Sequence, residues 1–465
     1  MQILITIALI VIGILLFEFL IFAHEFGHFF AAKRSGVKVN EFALGMGPKL
    51  FGFTKGETKY SLRLFPIGGY CAMEGEDEES DNPRAFTNAK IWKRMIIIVA
   101  GAFMNIVVGL LYMFIVLIQA PGYQSTVIQD FAPQAYTANS GLEVGDKIVS
   151  INGYSVWNIR DLQFGIQTMQ CREVDPDSLT VYKQDCAYEA FIVASDIVND
   201  DKLLGRELNE EEIASLNDIL QKQCAEINKA QSKEEAYSLL RGAVDGYYKA
   251  LGKSDAEYTY PEIEKRDSRK RFTADLEVIR DGKMTSLKEV QFFTYYRSQE
   301  DKDKDKPSVS VDFYVEPIEK SFGSVIEQTF SQTASLAKTV WQSLIMLVQG
   351  KFSISDLSGP VGITKAVSVV AEEGLKTGFG DAVINIFFIM ALISVNLGVV
   401  NMLPIPALDG GRFVLLIVEA IRKKPIPRKV EYIINGVGLA VFIIFIVIIT
   451  IKDIIQLVTG TFPTM

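Results

Sequence analysis

Histidine is nearly absent: His24 and His28 are the only two in 465 residues. That scarcity excludes a His-rich metal cage and any mechanism needing a third imidazole. Cysteine is scarce too. Cys71, Cys171, Cys186 and Cys224 are the full set, and none has the spacing of a thiolate metal site. There is no positive excess either, with 47 Lys and Arg against 56 Asp and Glu for a formal charge of −9. No global basic field is therefore available for nucleic acid.

Apolar residues, by contrast, are abundant. They reach 49% while charged residues still reach 22%, which points to very apolar segments joined to a soluble, charged portion. Four stretches are long enough to span a bilayer, which takes about 20 residues. Ile3–Ala23 carries one charge, Glu18, and Met95–Ile118, Ala382–Leu408 and Ile433–Ile451 carry none. The first lacks the basic start and small-residue cleavage site of a signal peptide. It runs directly into His24-Glu25-Phe26-Gly27-His28 and reads as a retained span.

Orientation follows from Lys and Arg near the span ends. Lys33, Arg34, Lys38, Lys90, Lys93 and Arg94 bracket the first connection. Arg412, Arg422, Lys423, Lys424, Arg428 and Lys429 fill the third, whereas no basic residue follows the second span until Lys147. Both short connections are expected in the cytoplasm. The long segment 119–381, with 42 acidic and 29 basic residues, is expected outside with both termini.

The fold class expected is a polytopic α-helical membrane protein with four transmembrane helices, a membrane-associated β-element and an outer α+β domain. The expected divisions are span one at 1–32, a cytoplasmic connection at 33–94 and span two at 95–118. An outer domain at 119–320 precedes an amphipathic helix and linker at 321–381. Span three at 382–411, a cytoplasmic connection at 412–432, span four at 433–455 and an outer tail at 456–465 complete the chain.

In the outer segment, Val127-Ile128 is strand-like. Ser140 to Asp146 is turn-rich, with Gly141, Leu142, Gly145 and Asp146, and Lys147–Ile151 enters a tight turn at Asn152-Gly153. A helix is expected near Ile159, and a further strand at Phe272–Arg280 turns at Asp281-Gly282. This order resembles a bacterial PDZ domain. Residues 171–270 interrupt it as an inserted helical subdomain, with helices starting after Asn209 and near Ser232. Under this topology Cys171, Cys186 and Cys224 face an oxidising side, where a Cys171–Cys186 bridge and three free thiols both remain open.

His24 and His28 are four apart on a predicted helix, so both imidazoles project from one face and can hold one metal ion. Glu25 stands close enough to reach a water at that ion without being a ligand. This is the HExxH arrangement of zinc proteases. Zinc acidifies water, and Glu25 would take its proton and return it to the leaving amine. With no third histidine, the next ligand should be a carboxylate or thiol. Asp409 leads, because it follows span three in Asn401-Met402-Leu403-Pro404-Ile405-Pro406-Ala407-Leu408-Asp409-Gly410-Gly411. Pro404 and Pro406 prevent regular helix there, and unwound backbone at this depth needs protein or a watery cavity around it. Two histidines and a carboxylate also describe iron oxygenase sites; Glu25 and the membrane setting favour zinc hydrolysis.

HEFGH in the first span, NMLPIPALDGG after the third and the PDZ-like unit between them together resemble the site-2 protease family, in its bacterial regulator-of-sigma-E protease type. The resemblance implies one Zn²⁺ on His24, His28 and Asp409, with Glu25 as catalytic base and Asn401, Pro404 and Pro406 near the substrate backbone. It also implies a bacterial inner-membrane protein that cuts transmembrane segments of single-span substrates, such as anti-sigma factors or remnant signal peptides. On this reading the PDZ-like unit would admit substrates whose outer domain has already been removed, and the derived topology puts the expected active site near the cytoplasmic side. Thr58–Phe65 alternates like a strand before Pro66 and Gly68-Gly69 interrupt it. Tyr60, Ser61, Leu62, Arg63, Leu64 and Phe65 are expected to form an exposed edge that holds an unwound substrate. The competing reading is a non-proteolytic membrane scaffold with a PDZ-type peptide-binding module. Glu18, seven residues before Glu25, shares its helical face and either lines hydrated space or has a partnered structural role.

Overall fold

The computed structural model describes residues 2–76, 78, 80–132, 135–169, 171–173, 178–199, 208–253, 258, 260, 270–295, 307–351 and 359–459. Residues 460–465 of the expected tail lie outside them. The chain forms two compact units, Met1–Pro121 with Lys320–Met465, and Gly122–Glu319.

The first unit is built on long apolar helices. Helix α1 (Gln2–Ser35) has no proline to break it and ends at Gly36, whose φ of +86° turns the chain away. Helix α2 (Ile91–Leu117) follows a small β-element made of strands β1 (Val39–Lys55) and β2 (Thr58–Met73). Among the described residues, four helical segments are long and apolar enough to cross a membrane: Val11–Ser35, Ile91–Leu117, Phe379–Asn401 and Lys429–Thr459. α2 packs against both α1 and the third of these segments, which also touch each other. Small residues let the backbones close up, as at Gly27, where a Cβ would lie 2.3 Å from the Ala100 carbonyl oxygen.

The β-element overturns one expectation. β2 does not stop at Pro66 and Gly68-Gly69. It bends there and continues to Met73, changing partners as it goes. Glu41–Leu44 pairs with Gly69–Ala72 on one side and with Lys59–Leu62 on the other. Tyr60–Arg63 in turn pairs across to Lys49–Phe53. The spatial order is thus Gly69–Met73, Val39–Met46, Thr58–Phe65, then Lys49–Lys55. Tyr60, Ser61 and Leu62 are bonded on both flanks and form no free edge. The free edges belong to Gly69–Met73 and Lys49–Lys55.

The second unit centres on a sheet in the order β10-β3-β4-β7-β8-β9, with short β5 on β4 and β6 on β7. In chain order these are β3 (Tyr123–Phe131), β4 (Lys147–Ile151), β5 (Tyr154–Ser155), β6 (Cys171–Glu173), β7 (Lys270–Arg280), β8 (Lys283–Tyr295), β9 (Ser308–Ser310) and β10 (Phe313–Ile318). Helix α3 (Tyr136–Asn139) is a single turn, and α4 (Ile159–Gln167) is capped by Asn158. Leu142 is buried with Ile148, Ile151, Leu162, Val278 and Phe292 in the core. Asn152 and Gly153 both take positive φ (48° and 79°) and close the tight β4–β5 turn. Buried Asp146 accepts two 2.7 Å hydrogen bonds from the Arg280 guanidinium and pins the Gly141–Gly145 turn to β7.

Among the described residues the insert forms the helices α5 (Leu179–Asn199), α6 (Glu210–Lys229) and α7 (Lys233–Ala250). Asn209 and Glu212 make a reciprocal capping box at α6, and Ser232 caps α7. Their apolar faces meet in a separate core that includes Ala190, Leu216, Leu240 and Tyr247. Cys186 and Cys224 sit inside it as free thiols, each pushed up to about 12 by burial.

Beyond this unit run α8 (Phe322–Val348), α9 (Pro360–Thr377), α10 (Phe379–Asn401), α11 (Asp409–Arg422) and α12 (Arg428–Thr459). The span read as linker before residue 381 therefore contains a full helix. α9 begins at Pro360, and its first N–H groups find their acceptor far away. Asp453 Oδ2 on α12 accepts from Gly359 N at 2.9 Å and Gly362 N at 2.8 Å.

Candidate metal centre

The site forms where α1 crosses α2. The i, i+4 spacing puts His24 and His28 on one face of α1, with their Nε2 atoms 3.2 Å apart. α2 receives them with three positions one turn apart. Ile97 offers its carbonyl oxygen to His28 Nδ1 at 2.8 Å, and the carboxamide of Asn105 lies 3.1 Å from His24 Nδ1. Between them, Gly101 leaves room for both rings. A Cβ there would sit 2.3 Å from His28 Nε2 and 2.8 Å from His24 Cε1.

The third group arrives on a broken helix. α10 ends at Asn401, and Pro404 and Pro406 keep the chain unwound until Asp409 opens α11. Ala407 adopts a left-handed φ of 76° in this loop. Gly410 and Gly411 are required by the fold-back, since a Cβ on either would lie within 2.3 Å of the Leu403 or Ile405 carbonyl oxygen. Two ion pairs hold α11 in place: Arg412 with Glu76 after β2, and Glu419 with Arg94 at the start of α2. The second is almost fully buried, and such a pair holds its geometry because losing either partner strands a charge.

Asp409 Oδ2 lies 3.4 Å from His24 Nε2 and 3.4 Å from His28 Nε2. With the 3.2 Å histidine separation this makes a nearly equilateral triangle. A tetrahedral zinc with bonds of about 2.0–2.1 Å spaces its ligand atoms about 3.3–3.4 Å apart, so the triangle matches one face of such a site and leaves the fourth vertex free. The electrostatics agree. Asp409 Oδ2 is buried without a hydrogen-bond partner, and two imidazole nitrogens converge on it. A cation satisfies all three atoms together. Among the described residues, this is the one group of three such side chains placed to hold a metal.

Glu25 projects beside the triangle and accepts a hydrogen bond from the backbone N–H of Cys71. Gly69 is equally close: a Cβ there would lie 3.4 Å from Glu25 Cγ. Of the anticipated substrate residues, Gly68, Gly69, Asn401, Pro404 and Pro406 belong to segments that border the site. Tyr60–Phe65 occupies an inner position of the β-element instead. Sequence reasoning passed over Gly101, Asn105, Arg94 and Glu419. An asparagine within an uncharged span was the available signal.

The sequence profile of peptidase family M50 matches residues 12–445. This chain belongs to that family, the site-2 proteases. A Clostridium acetobutylicum protein carrying a provisional zinc-metalloprotease name is 30% identical over 447 residues, 96% of this chain and 97% of the relative. The regulator of sigma-W protease RasP of Bacillus subtilis is 29% identical over 465 residues, covering 96% and 97%. Zinc metalloprotease RasP of Bacillus licheniformis is 29% identical over 491 residues, covering 96% and 98%. An M50 protease with these apolar helices is an integral-membrane zinc metalloprotease, and its cofactor is zinc.

Proposed function

We propose that His24, His28 and Asp409 hold one zinc ion, that Glu25 is the catalytic base, and that the enzyme cleaves peptide bonds within or near transmembrane segments of single-span membrane proteins. The observation that carries this is the triangle of two Nε2 atoms and one carboxylate oxygen beside Glu25. Bound zinc would supply Lewis acidity, polarising a peptide carbonyl and lowering the pKa of water to near neutrality. Glu25 takes the proton of the attacking water and delivers it to the leaving amine. The Cys71 N–H aims its carboxylate during both transfers.

A helical substrate hides its peptide bonds in its own hydrogen bonds. Strand addition offers the unwound segment replacement partners. The free edge at Gly69–Met73 suits this role because it runs past Glu25, and Asn401 with the Pro404–Pro406 loop leads directly into Asp409. The basic residues flanking the spans support a site near the cytoplasmic face, with Gly122–Glu319 and both termini outside.

Outside, the second unit reads as a PDZ-like domain. A groove of about 610 Å³ lies between α4 (Ile159, Leu162, Ile166) and edge strand β10 (Phe313, Val315). It suits an extended peptide end exposed when a substrate loses its outer domain. The B. subtilis relative is named for regulating sigma-W; membrane-bound anti-sigma factors are the substrate class proposed here, with remnant signal peptides as a second.

The test is Glu25→Gln in reconstituted membranes. Zinc should stay bound while cleavage of a single-span substrate falls by at least ~10². Retained cleavage would refute the base role, and a parent protein without zinc would refute the ligand set.

A further inference from the structure

Both histidines direct Nε2 at the triangle, so both Nδ1 atoms face α2. A neutral imidazole that gives its Nε2 lone pair to a cation carries its proton on Nδ1, and that N–H needs an acceptor. His28 has one in the Ile97 carbonyl oxygen. His24 Nδ1 meets the Asn105 carboxamide, with Nδ2 nearest at 3.1 Å. In that orientation two donors would oppose each other. Meanwhile Asn105 is fully buried and its Oδ1 has no hydrogen-bond partner. A half-turn of the carboxamide exchanges its oxygen and nitrogen with no other movement. One rotation removes the donor clash and satisfies the orphaned oxygen.

We propose that Asn105 is a positioning residue whose Oδ1 accepts a hydrogen bond from His24 Nδ1–H, fixing the tautomer and aim of that ring. The inference rests on His24 being a zinc ligand. α2 then serves both rings: the Ile97 carbonyl accepts from His28, and the Asn105 carboxamide joins the Gly101 carbonyl in accepting from His24. The main chain at Asn105 is itself anchored, since Ser394 Oγ on α10 donates to the Asn105 backbone carbonyl oxygen at 2.6 Å. The helix that supports the histidines is thereby tied to the helix that ends at Asn401 and leads into Asp409. Such outer partners commonly set metal affinity by ten- to a hundredfold.

The test compares Asn105→Leu and Asn105→Asp in the full-length protein in detergent. Zinc retention is read against a graded chelator, and visible absorption is read after Co²⁺ loading. Asn105→Leu keeps the volume without an acceptor and should weaken zinc about ten- to a hundredfold with altered Co²⁺ bands. Asn105→Asp keeps an acceptor in place but has no N–H, and should stay close to the parent. A purely structural role predicts the reverse order, because a buried charge disturbs packing more than a leucine does. Parental zinc affinity in Asn105→Leu, or that reversed order, overturns the proposal. Should Asn105→Leu fail to fold, the folded Asn105→Asp protein decides alone: zinc kept upholds it, zinc lost overturns it. Absence of zinc from the parent is a separate failure, that of the His24 ligand assignment.

Discussion

At the scale of single residues, one methyl group on Gly101 separates two effects that usually run together. Alanine favours helix over glycine by about 1 kcal/mol, so Gly101→Ala should leave α2 helical. Its Cβ would nevertheless fall 2.3 Å from His28 Nε2, and the hydrogen bond to the Ile97 carbonyl oxygen keeps that ring from moving aside. Expected is a loss of bound zinc of at least ~10-fold with unchanged far-UV helix content; parental zinc content would show that the crossing has slack. This contrast explains what could be read from the chain alone. The pairing of His24 with His28 follows from helical periodicity within one segment, and Asp409 follows from broken helix at matching depth. Gly101 and Asn105 carry no such local signature. Their importance arises only where α1 crosses α2, and crossing geometry is a property of two helices together.

Among the elements, the β1–β2 sheet is held by an ionic cluster with a pH signature of its own. Glu41 accepts from Ser61 Oγ at 2.6 Å, Arg63 Nη2 at 3.1 Å and Lys59 Nζ at 3.4 Å, joining Val39–Met46 to the neighbouring segment Thr58–Phe65. Burial alone would raise its carboxyl, but these three donors outweigh burial and hold it at about 2 instead of 4.5. A carboxyl with a depressed folded-state pKa contributes stability above its unfolded value, and that contribution fades as pH falls from 4.5 toward 2. The melting temperature of Glu41→Gln should therefore lie below the parent at pH 6, with the gap closing across that window. A gap independent of pH would assign the stabilisation to packing. Alternation at Thr58–Phe65 revealed a strand but not its neighbours. The bend at Gly68, with φ of +92°, lets one strand serve two places in the sheet, and so the free edge passes from Tyr60–Phe65 to Gly69–Met73. Helix α9 was hidden for a related reason: its N-terminal acceptor, Asp453, lies 91 to 94 positions along the chain.

For the whole molecule, the junctions between the two units allow a direct test of their independence. β3 opens and β10 closes the second unit, and the two are antiparallel neighbours with Tyr123 opposite Ile318. The chain thus enters and leaves that unit at adjacent points, where paired Cα atoms are only about 4.5–5.5 Å apart. In the membrane unit the same ends meet again, with Lys320 Nζ donating to the Ile118 carbonyl oxygen at 2.6 Å. Replacing Gly122–Glu319 by a linker of about four residues therefore spans the gap without strain. The second unit has its own buried cores, around Ile148 and Phe292 in the sheet and Leu240 and Tyr247 in the insert. No residue of the histidine–carboxylate triangle comes from it. The excised enzyme should insert into membranes and bind one zinc per chain. If the outer unit screens substrates as proposed, the excised enzyme should also cleave a single-span substrate whether or not the outer domain of that substrate has been removed, and the parent should cleave only the shortened form. Loss of zinc on excision would show that the metal centre needs the outer unit. Continued rejection of the intact substrate would place the size filter within the membrane unit.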